Sequence, residues 1–236
     1  EETIQVVAGD PLYSQLAPTG ETVALADVRL LAPVIPRSKV VGIGRNSAAH
    51  AKEMGNEVPE RPLVFFKPNT SVIGPDDPIV LPSFSEEVHY EGELAVVIGR
   101  ICKDVPRERV DEVVLGYTCG NDVTARDAQR TDGQWARAKG FDSSCPLGPW
   151  LVTDLDVDDL RLQTRVDGAT VQDGRTADLI FDVPELVSYV SAAFTLLPGD
   201  VILTGTPAGV GPVQHGQRVE VEIEDFGTLS NPVVRR

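Results

Sequence analysis

The sequence is 236 residues long, room for one large domain, or a domain with a small appendage, at about 150 residues per domain. With 21 basic against 36 acidic residues its net charge is −15, a surface that repels phosphate backbones and acidic leaflets and so argues against nucleic acid and membrane as partners. An apolar content of 42% permits a sizeable core, while 21 glycines and 18 prolines favour turns and short strands over long helices.

The start, Glu1-Glu2-Thr3, has neither Met nor the basic and apolar regions of a signal peptide, so a trimmed beginning is expected. Residues 1–36 read as a small N-terminal subdomain of short strands, Ile4–Ala8 and Val23–Leu31, broken by Pro11, Pro18, Pro33 and Pro36. From residue 37 to 236 a β-rich second domain follows. Its apolar runs are Val40–Ile43, Leu63–Phe66, Ile79–Leu81, Leu94–Ile98, Val113–Tyr117, Trp150–Val152 and Val201–Leu203, most of them bounded by Gly, Pro or Asp. Leu160–Val166 and Val219–Ile223 alternate apolar and polar residues as half-buried antiparallel strands do, and Asp167-Gly168 is a hairpin turn. Helices are few: Pro184 with Leu186, Val187, Val190 and Phe194 has helical spacing, and Pro106–Val113 and Ser47–Met54 are shorter candidates. The fold class is mixed α/β with β dominant. The three cysteines, Cys102, Cys119 and Cys145, form neither a disulfide framework nor a zinc pattern, which fits a reducing cytoplasm.

Three groups of residues could carry chemistry. In HYEGELAVVIG, Glu91 and Glu93 point to the same face of a strand, about 6.6 Å apart at the backbone. The commoner outcome for such a pair is a solvated strand end. Asp122, at the end of the next long apolar run, changes this: three carboxylates from two strand ends make an oxygen-only ligand set suited to Mg²⁺, Mn²⁺ or Ca²⁺ rather than zinc. Helix capping is the other reading of Asp122, with Thr124 a second candidate cap. On a short helix capped near Asn46 or Ser47, His50 and Glu53 are three residues apart, so the carboxylate can orient the imidazole, and such a pair can take a proton from water.

Six stretches, in order, carry a resemblance: KVVGIGRN with HAKEMG (39–55), FFKPNTSVIGP (65–75), HYEGELAVVIG (89–99), GYTCGNDVTARDAQ (116–129), WARAKGFDSSCPLGPW (135–150) and LLPGDVILTGTPAGVG (196–211). Together they resemble the fumarylacetoacetate hydrolase family, in its branch of acylpyruvases, oxaloacetate decarboxylases and 2-hydroxyhepta-2,4-diene-1,7-dioate isomerases. The resemblance implies a β-roll fold, a divalent cation held by Glu91, Glu93 and Asp122, and a lid carrying His50 and Glu53. It also implies that Lys139 reaches the substrate, that Arg126 and Gln129 line the site, that Lys67 and Thr206 lie near it, and that the protein is a homodimer. Family members often carry Tyr and Asp on the lid where this chain has Ser47 and Ala49.

Outside the resemblance, Lys139 would be an ordinary surface lysine. TGTPAGVG (204–211) lacks the Gly-Lys-Ser/Thr ending of a phosphate loop and reads as a turn beside the site, and the aspartates of 154–159 lack the Gly and terminal Glu of a calcium loop. His89, His215 and Cys145 receive no role. The expected activity is metal-dependent chemistry on a small 2-oxo acid through a metal-bound enolate: carbon–carbon bond hydrolysis or decarboxylation first, the isomerase-type double-bond shift as the alternative. In the hydrolytic version Glu53 orients His50, His50 activates water, and Lys139 stabilises the developing oxyanion. A non-catalytic, calcium-stabilised acidic binding module is the alternative of a different class.

Overall fold

The computed structural model describes residues 2–53 and 57–235. Met54 and Gly55 of the HAKEMG motif lie outside the described residues. In chain order the first elements are β1 (Thr3–Ala8), β2 (Ala17–Ala24), β3 (Val40–Gly44), α1 (Ala48–Glu53), β4 (Leu63–Lys67), β5 (Val72–Ile73), β6 (Ile79–Leu81), β7 (Val88–Tyr90), β8 (Gly92–Ile98), β9 (Val114–Asn121) and β10 (Thr124–Ala125). There follow α2 (Arg126–Thr131), α3 (Ala136–Gly140), β11 (Cys145–Val152), β12 (Arg161–Val166), β13 (Ala169–Arg175), α4 (Val183–Ala193), β14 (Val201–Leu203), β15 (Gly211–Pro212), β16 (Arg218–Ile223) and β17 (Gly227–Arg235).

The expected β-dominated architecture is observed. A seven-stranded sheet in the order β4-β3-β14-β8-β9-β11-β5 lies against a five-stranded one, β13-β12-β16-β17-β6, with a small sheet β10-β7-β15 between strand ends and the hairpin β1-β2 apart. Strand β8 explains the unbroken apolar run in its sequence: Leu94, Val96 and Ile98 enter one buried cluster with β16 and α4, while Ala95 and Val97 enter a second cluster on the opposite face with Val40, Val201 and Leu147. A strand covered on both sides has no reason to alternate. Strands β12 and β16 do alternate, burying Leu162, Thr164, Val219, Val221 and Ile223 on one face. Asp167 and Gly168 make the β12–β13 turn with φ of 49° and 82°. Helix α4 starts where Asp182 accepts the Glu185 N–H at 2.9 Å and buries Leu186, Val187 and Val190.

The large sheet is strongly rolled. At about 4.8 Å per strand, β4 and β9 lie about 19 Å apart along the sheet. Yet Lys67, at the end of β4, touches Asp122, just past β9, at 2.6 Å. Only curvature brings them together, and the concave side is where the acidic strand ends meet.

Two expectations change. The strand Val23–Leu31 ends at Ala24: after a last bond from the Leu25 N–H to the Glu2 carbonyl at 2.9 Å the chain turns through residues 25–27. The strand instead begins earlier, at Ala17, in a polar stretch that no apolar pattern marked. The segment Pro106–Val113 forms a 3₁₀ turn over Arg107–Glu112 rather than an α-helix.

Asn46 ties the end of β3 to the rest. Buried, it donates to the carbonyls of Phe181 (2.8 Å) and Thr204 (2.7 Å) and accepts the Phe181 N–H (2.8 Å). Removing it orphans three buried backbone groups at about 1 kcal/mol each. Asn46→Ala is therefore expected to lower stability by about 3 kcal/mol in urea unfolding; an unshifted midpoint would show that water replaces all three contacts.

Candidate active site

The three acids sit where β7, β8 and β9 end. Glu91 occupies the kink between β7 and β8; its N–H is accepted by the Asn121 side chain at 2.9 Å, and its carbonyl accepts the Asp122 N–H at 2.8 Å, which locks the two strand ends in register. Between Glu91 and Glu93, Gly92 lies so close to the second sheet that a Cβ there would fall 2.1 Å from Thr164 Oγ1. The loop after β14 runs back along β8: Thr204 and Thr206 donate through their hydroxyls to the carbonyls of Leu94 (2.9 Å) and Gly92 (2.8 Å). This aims the Gly205 N–H at Glu93 Oε2, 2.7 Å away. Gly205 has φ of +107°, a backbone a side chain rarely tolerates, and a Cβ would also strike Asn46.

One ligand atom from each of Glu91, Glu93 and Asp122 lies within 4.8 Å of the others, and all three residues are buried. Three buried cations converge on them. Lys139 Nζ, from α3, donates to Glu91 Oε2 (2.7 Å) and Asp122 Oδ2 (2.5 Å); Lys67 Nζ takes Asp122 Oδ1 (2.6 Å); Arg126, at the start of α2, pairs with Glu91 and donates to Gln129 Oε1 (2.9 Å). Lys139 also lies 4.9 Å from the centre of the Phe65 ring, which is packed edge-on against Trp135.

Each group's electrostatics follow from these partners. Burial works to raise the pKa of Glu91, but Arg126 and then Lys139 outweigh it and hold the carboxyl well below the usual range. Burial disfavours the Lys139 ammonium, yet Asp122 and Glu91 keep it charged. Glu93 is the exception: burial, reinforced by Asp122 and Glu91, pushes it well above the carboxylate range, and the Gly205 N–H only partly offsets this.

That imbalance favours a bound cation. Glu93 is the member of the trio with no basic side chain on it among the described residues, and one hydrogen bond, to Oε2, is all its carboxylate receives. Every hydrogen-bonded oxygen of Glu91 and Asp122 retains a lone pair. Hard oxygen donors converging around a carboxyl with no basic partner among the described residues suit a divalent ion such as Mg²⁺ or Mn²⁺.

The cavity above is about 320 Å³, lined by Ile43, Gly44, Arg45, His50, Glu91, Glu93, Arg126, Gln129, Arg130, Trp135, Lys139 and Thr206. Helix α1 covers one side of it. Ser47 caps that helix weakly, its hydroxyl 3.4 Å from the His50 N–H. His50 is buried, with Nδ1 3.5 Å from Glu53 Oε2; Glu53 is more exposed and takes the Gly209 N–H on both oxygens, at 3.0 and 3.1 Å. Burial lowers the pKa of His50, so the ring is neutral at pH 7 and able to accept a proton. Buried His50 Nδ1 and Arg126 Nε have no hydrogen-bond partner among the described residues, as expected of a site that a ligand completes.

The structure thus brings every candidate site residue, His50, Glu53, Lys67, Glu91, Glu93, Asp122, Arg126, Gln129, Lys139 and Thr206, into one neighbourhood. It overturns the capping readings of Asp122 and Thr124: α2 starts at Arg126 with no side-chain cap, and the Thr124 hydroxyl bonds the Asp122 carbonyl at 2.8 Å. Sequence reasoning missed the backbone donors of Gly205 and Gly209, although the glycine-rich TGTPAGVG turn was their signal. It also missed Gln172, which accepts the Gly92 N–H (3.0 Å) and donates to Thr206 Oγ1 (2.8 Å); nothing in the polar face of β13 marks it. The aspartates of 154–159 are exposed, His215 is exposed, and burial pushes the Cys145 thiol up to about 12.

A raised carboxyl pKa stabilises the fold only where the group is protonated, so stability of the metal-free protein is present at acid pH and lost as pH rises through the pKa of Glu93. Glu93→Gln should flatten that fall and abolish the gain from added Mn²⁺, as read by urea midpoints across pH in chelator and in metal. Equal pH profiles for the two proteins would contradict the assignment.

Three comparisons bear on kinship. The family model described as fumarylacetoacetate (FAA) hydrolase C-terminal matches residues 39–234, and a model described as Rv2993c-like, N-terminal matches residues 1–33. Protein Rv2993c of Mycobacterium tuberculosis is 57% identical over 92% of this chain and 83% of its own. The rat protein named oxaloacetate tautomerase Fahd2a, mitochondrial, is 42% identical over 99% of this chain and 77% of its own. A crystal structure of a 5-carboxymethyl-2-hydroxymuconate delta-isomerase from Mycobacterium smegmatis superposes with a TM-score of 0.92 at 55% identity, covering 99% of this chain and 90% of that one. The chain belongs to the fumarylacetoacetate hydrolase family.

Proposed function

We propose that the protein is a divalent-cation-dependent enzyme acting on the enol form of a short 2-oxo acid, with proton transfer between carbon and oxygen, a tautomerase or isomerase reaction, as its main activity. One observation carries this reading: a neutral, buried imidazole backed by a carboxylate faces the same small cavity as Glu91, Glu93 and the Lys139 ammonium. A base near neutrality beside positive charge is what removal of a proton next to a carbonyl requires. The relatives named for tautomerase and isomerase reactions support it and shift weight from bond cleavage, the first expectation from sequence, to proton transfer.

Glu91, Glu93 and Asp122 would hold the cation. When bound, it supplies Lewis acidity that polarises the 2-oxo group and favours the enolate. Lys139 places a second positive charge where the oxygen gains electron density, and Arg126, steadied by Gln129, offers its guanidinium to the substrate carboxylate. His50 takes the proton from the carbon next to the carbonyl and delivers it to the oxygen, while Glu53, its carboxylate 3.5 Å from Nδ1 and held in place by the Gly209 N–H, supplies the opposing charge for the ring as it is protonated. A cavity of about 320 Å³ is at the small end for ligand sites and suits a short acid.

Carbon–carbon hydrolysis is the second reading, favoured by one feature: Glu53, gripped on both oxygens, could hold His50 for deprotonating a water as well as a carbon acid. The two differ in product. Spectrophotometry of oxaloacetate should show enol–keto conversion accelerated by Mg²⁺ or Mn²⁺ and lost in chelator, whereas faster appearance of pyruvate from oxaloacetate or from an acylpyruvate would favour bond cleavage.

His50→Ala is expected to lower kcat by about 10²–10⁴-fold, and Glu53→Gln by less. Because burial depresses the pKa of His50, the acid limb of the kcat/KM profile should lie below 6.5, and His50→Ala should erase it; a limb that survives the substitution assigns the base elsewhere. Lys139→Ala and Glu91→Ala should abolish every activity.

A further inference from the structure

Among the cations that line the cavity, Arg45 stands apart. Arg126 and Lys139 are held by Glu91 and Asp122, and Arg130 by Glu87. Arg45 has no ion pair and no side-chain hydrogen bond among the described residues, although acidic residues far outnumber basic ones in this chain. It is half-buried rather than extended into solvent. Its backbone is also unusual: φ is 61°, the left-handed region that Gly or Asn occupies at less cost.

Two anchors hold that conformation. Strand β3 pairs in register with β4 through Gly44 and Leu63, and Asn46 follows with its three buried hydrogen bonds. The chain is therefore committed on both sides of Arg45, and a residue with a long cationic side chain sits at a turn beside the cavity. A strained arginine without an internal partner is poised for an anion from outside.

Electrostatics specify which anion. On the floor Lys67, Lys139 and Arg126 are paired with Glu91 and Asp122, and the cation that Glu93 calls for would, with Arg126, be satisfied by one carboxylate and its adjacent oxygen. A second carboxylate at the other end of the ligand has no partner there. We infer that Arg45 is a specificity-determining residue that receives the distal carboxylate of a 2-oxo dicarboxylate, and thereby selects dicarboxylates over 2-oxo monocarboxylates. This rests on the functional reading above and narrows its substrate class.

The test compares wild type, Arg45→Gln and Arg45→Lys, each loaded with Mg²⁺. Calorimetric affinities for 2-oxoglutarate and pyruvate give the preference for a distal carboxylate without requiring turnover, and kcat/KM for oxaloacetate and acetylpyruvate gives the same preference in catalysis. Loss of a charge-assisted contact should cut the dicarboxylate preference of Arg45→Gln by about 10- to 100-fold, through KM rather than kcat, with the monocarboxylate nearly unaffected. Arg45→Lys, which keeps the charge, should retain much of it. An Arg45→Gln protein that loses both ligands equally, keeps its preference or fails to fold while Arg45→Lys folds with no preference overturns the inference. Absence of turnover of any 2-oxo acid by wild type, with the affinity preference intact, would instead strike at the proposed function and leave the role of Arg45 standing.

Discussion

A carboxylate removed from water must be answered by positive charge or hydrogen bonds nearby, and three such groups in one place multiply the demand. Glu91, Glu93 and Asp122 are buried together, and much of the surrounding structure answers them. The roll of the large sheet delivers Lys67, α3 delivers Lys139, α2 delivers Arg126, and a left-handed glycine delivers a backbone N–H. Glu93 alone is left short, and that shortfall is the chemical reason for expecting a divalent ion. The cost of holding the acids together is thus also what gives the site its affinity for a hard cation.

The rest of the pocket divides into a floor on the strand ends and a cover on α1. The floor rests on β8, covered by apolar side chains on both faces, so its acids cannot shift without disturbing two cores. The cover is a short helix with a weak cap, tied down by Glu53 to Gly209 and by Asn46 to Phe181 and Thr204. Substrate recognition can vary in the cover while the chemistry of the floor stays constant, which is consistent with relatives named for different reactions on one fold.

How much of this could be read beforehand follows from the physics of each signal. The acidic trio was legible because carboxylates at the ends of apolar strands are rare and expensive, and His50 with Glu53 because helical spacing places them on one face. Lys139 and Lys67 were ordinary lysines on composition alone; their burial depends on sheet curvature, which no local pattern encodes, and the family resemblance was needed to select them. Gly205, Gly209 and Gln172 act through backbone or amide groups whose partners are remote in sequence. The β2 boundary was misplaced for a related reason: an exposed hairpin is held by backbone hydrogen bonds, so its side chains carry little periodicity.

Gln172 belongs to the outer sheet, yet its amide oxygen takes the Gly92 N–H and its amide nitrogen serves both the Thr206 hydroxyl and the Pro207 carbonyl. One side chain therefore fastens the floor and the neighbouring wall of the cavity to a layer that contributes none of the acids. Loosening of that layer would release both at once, and because the same layer covers one face of β8, the cavity and the strand beneath it would lose their support together.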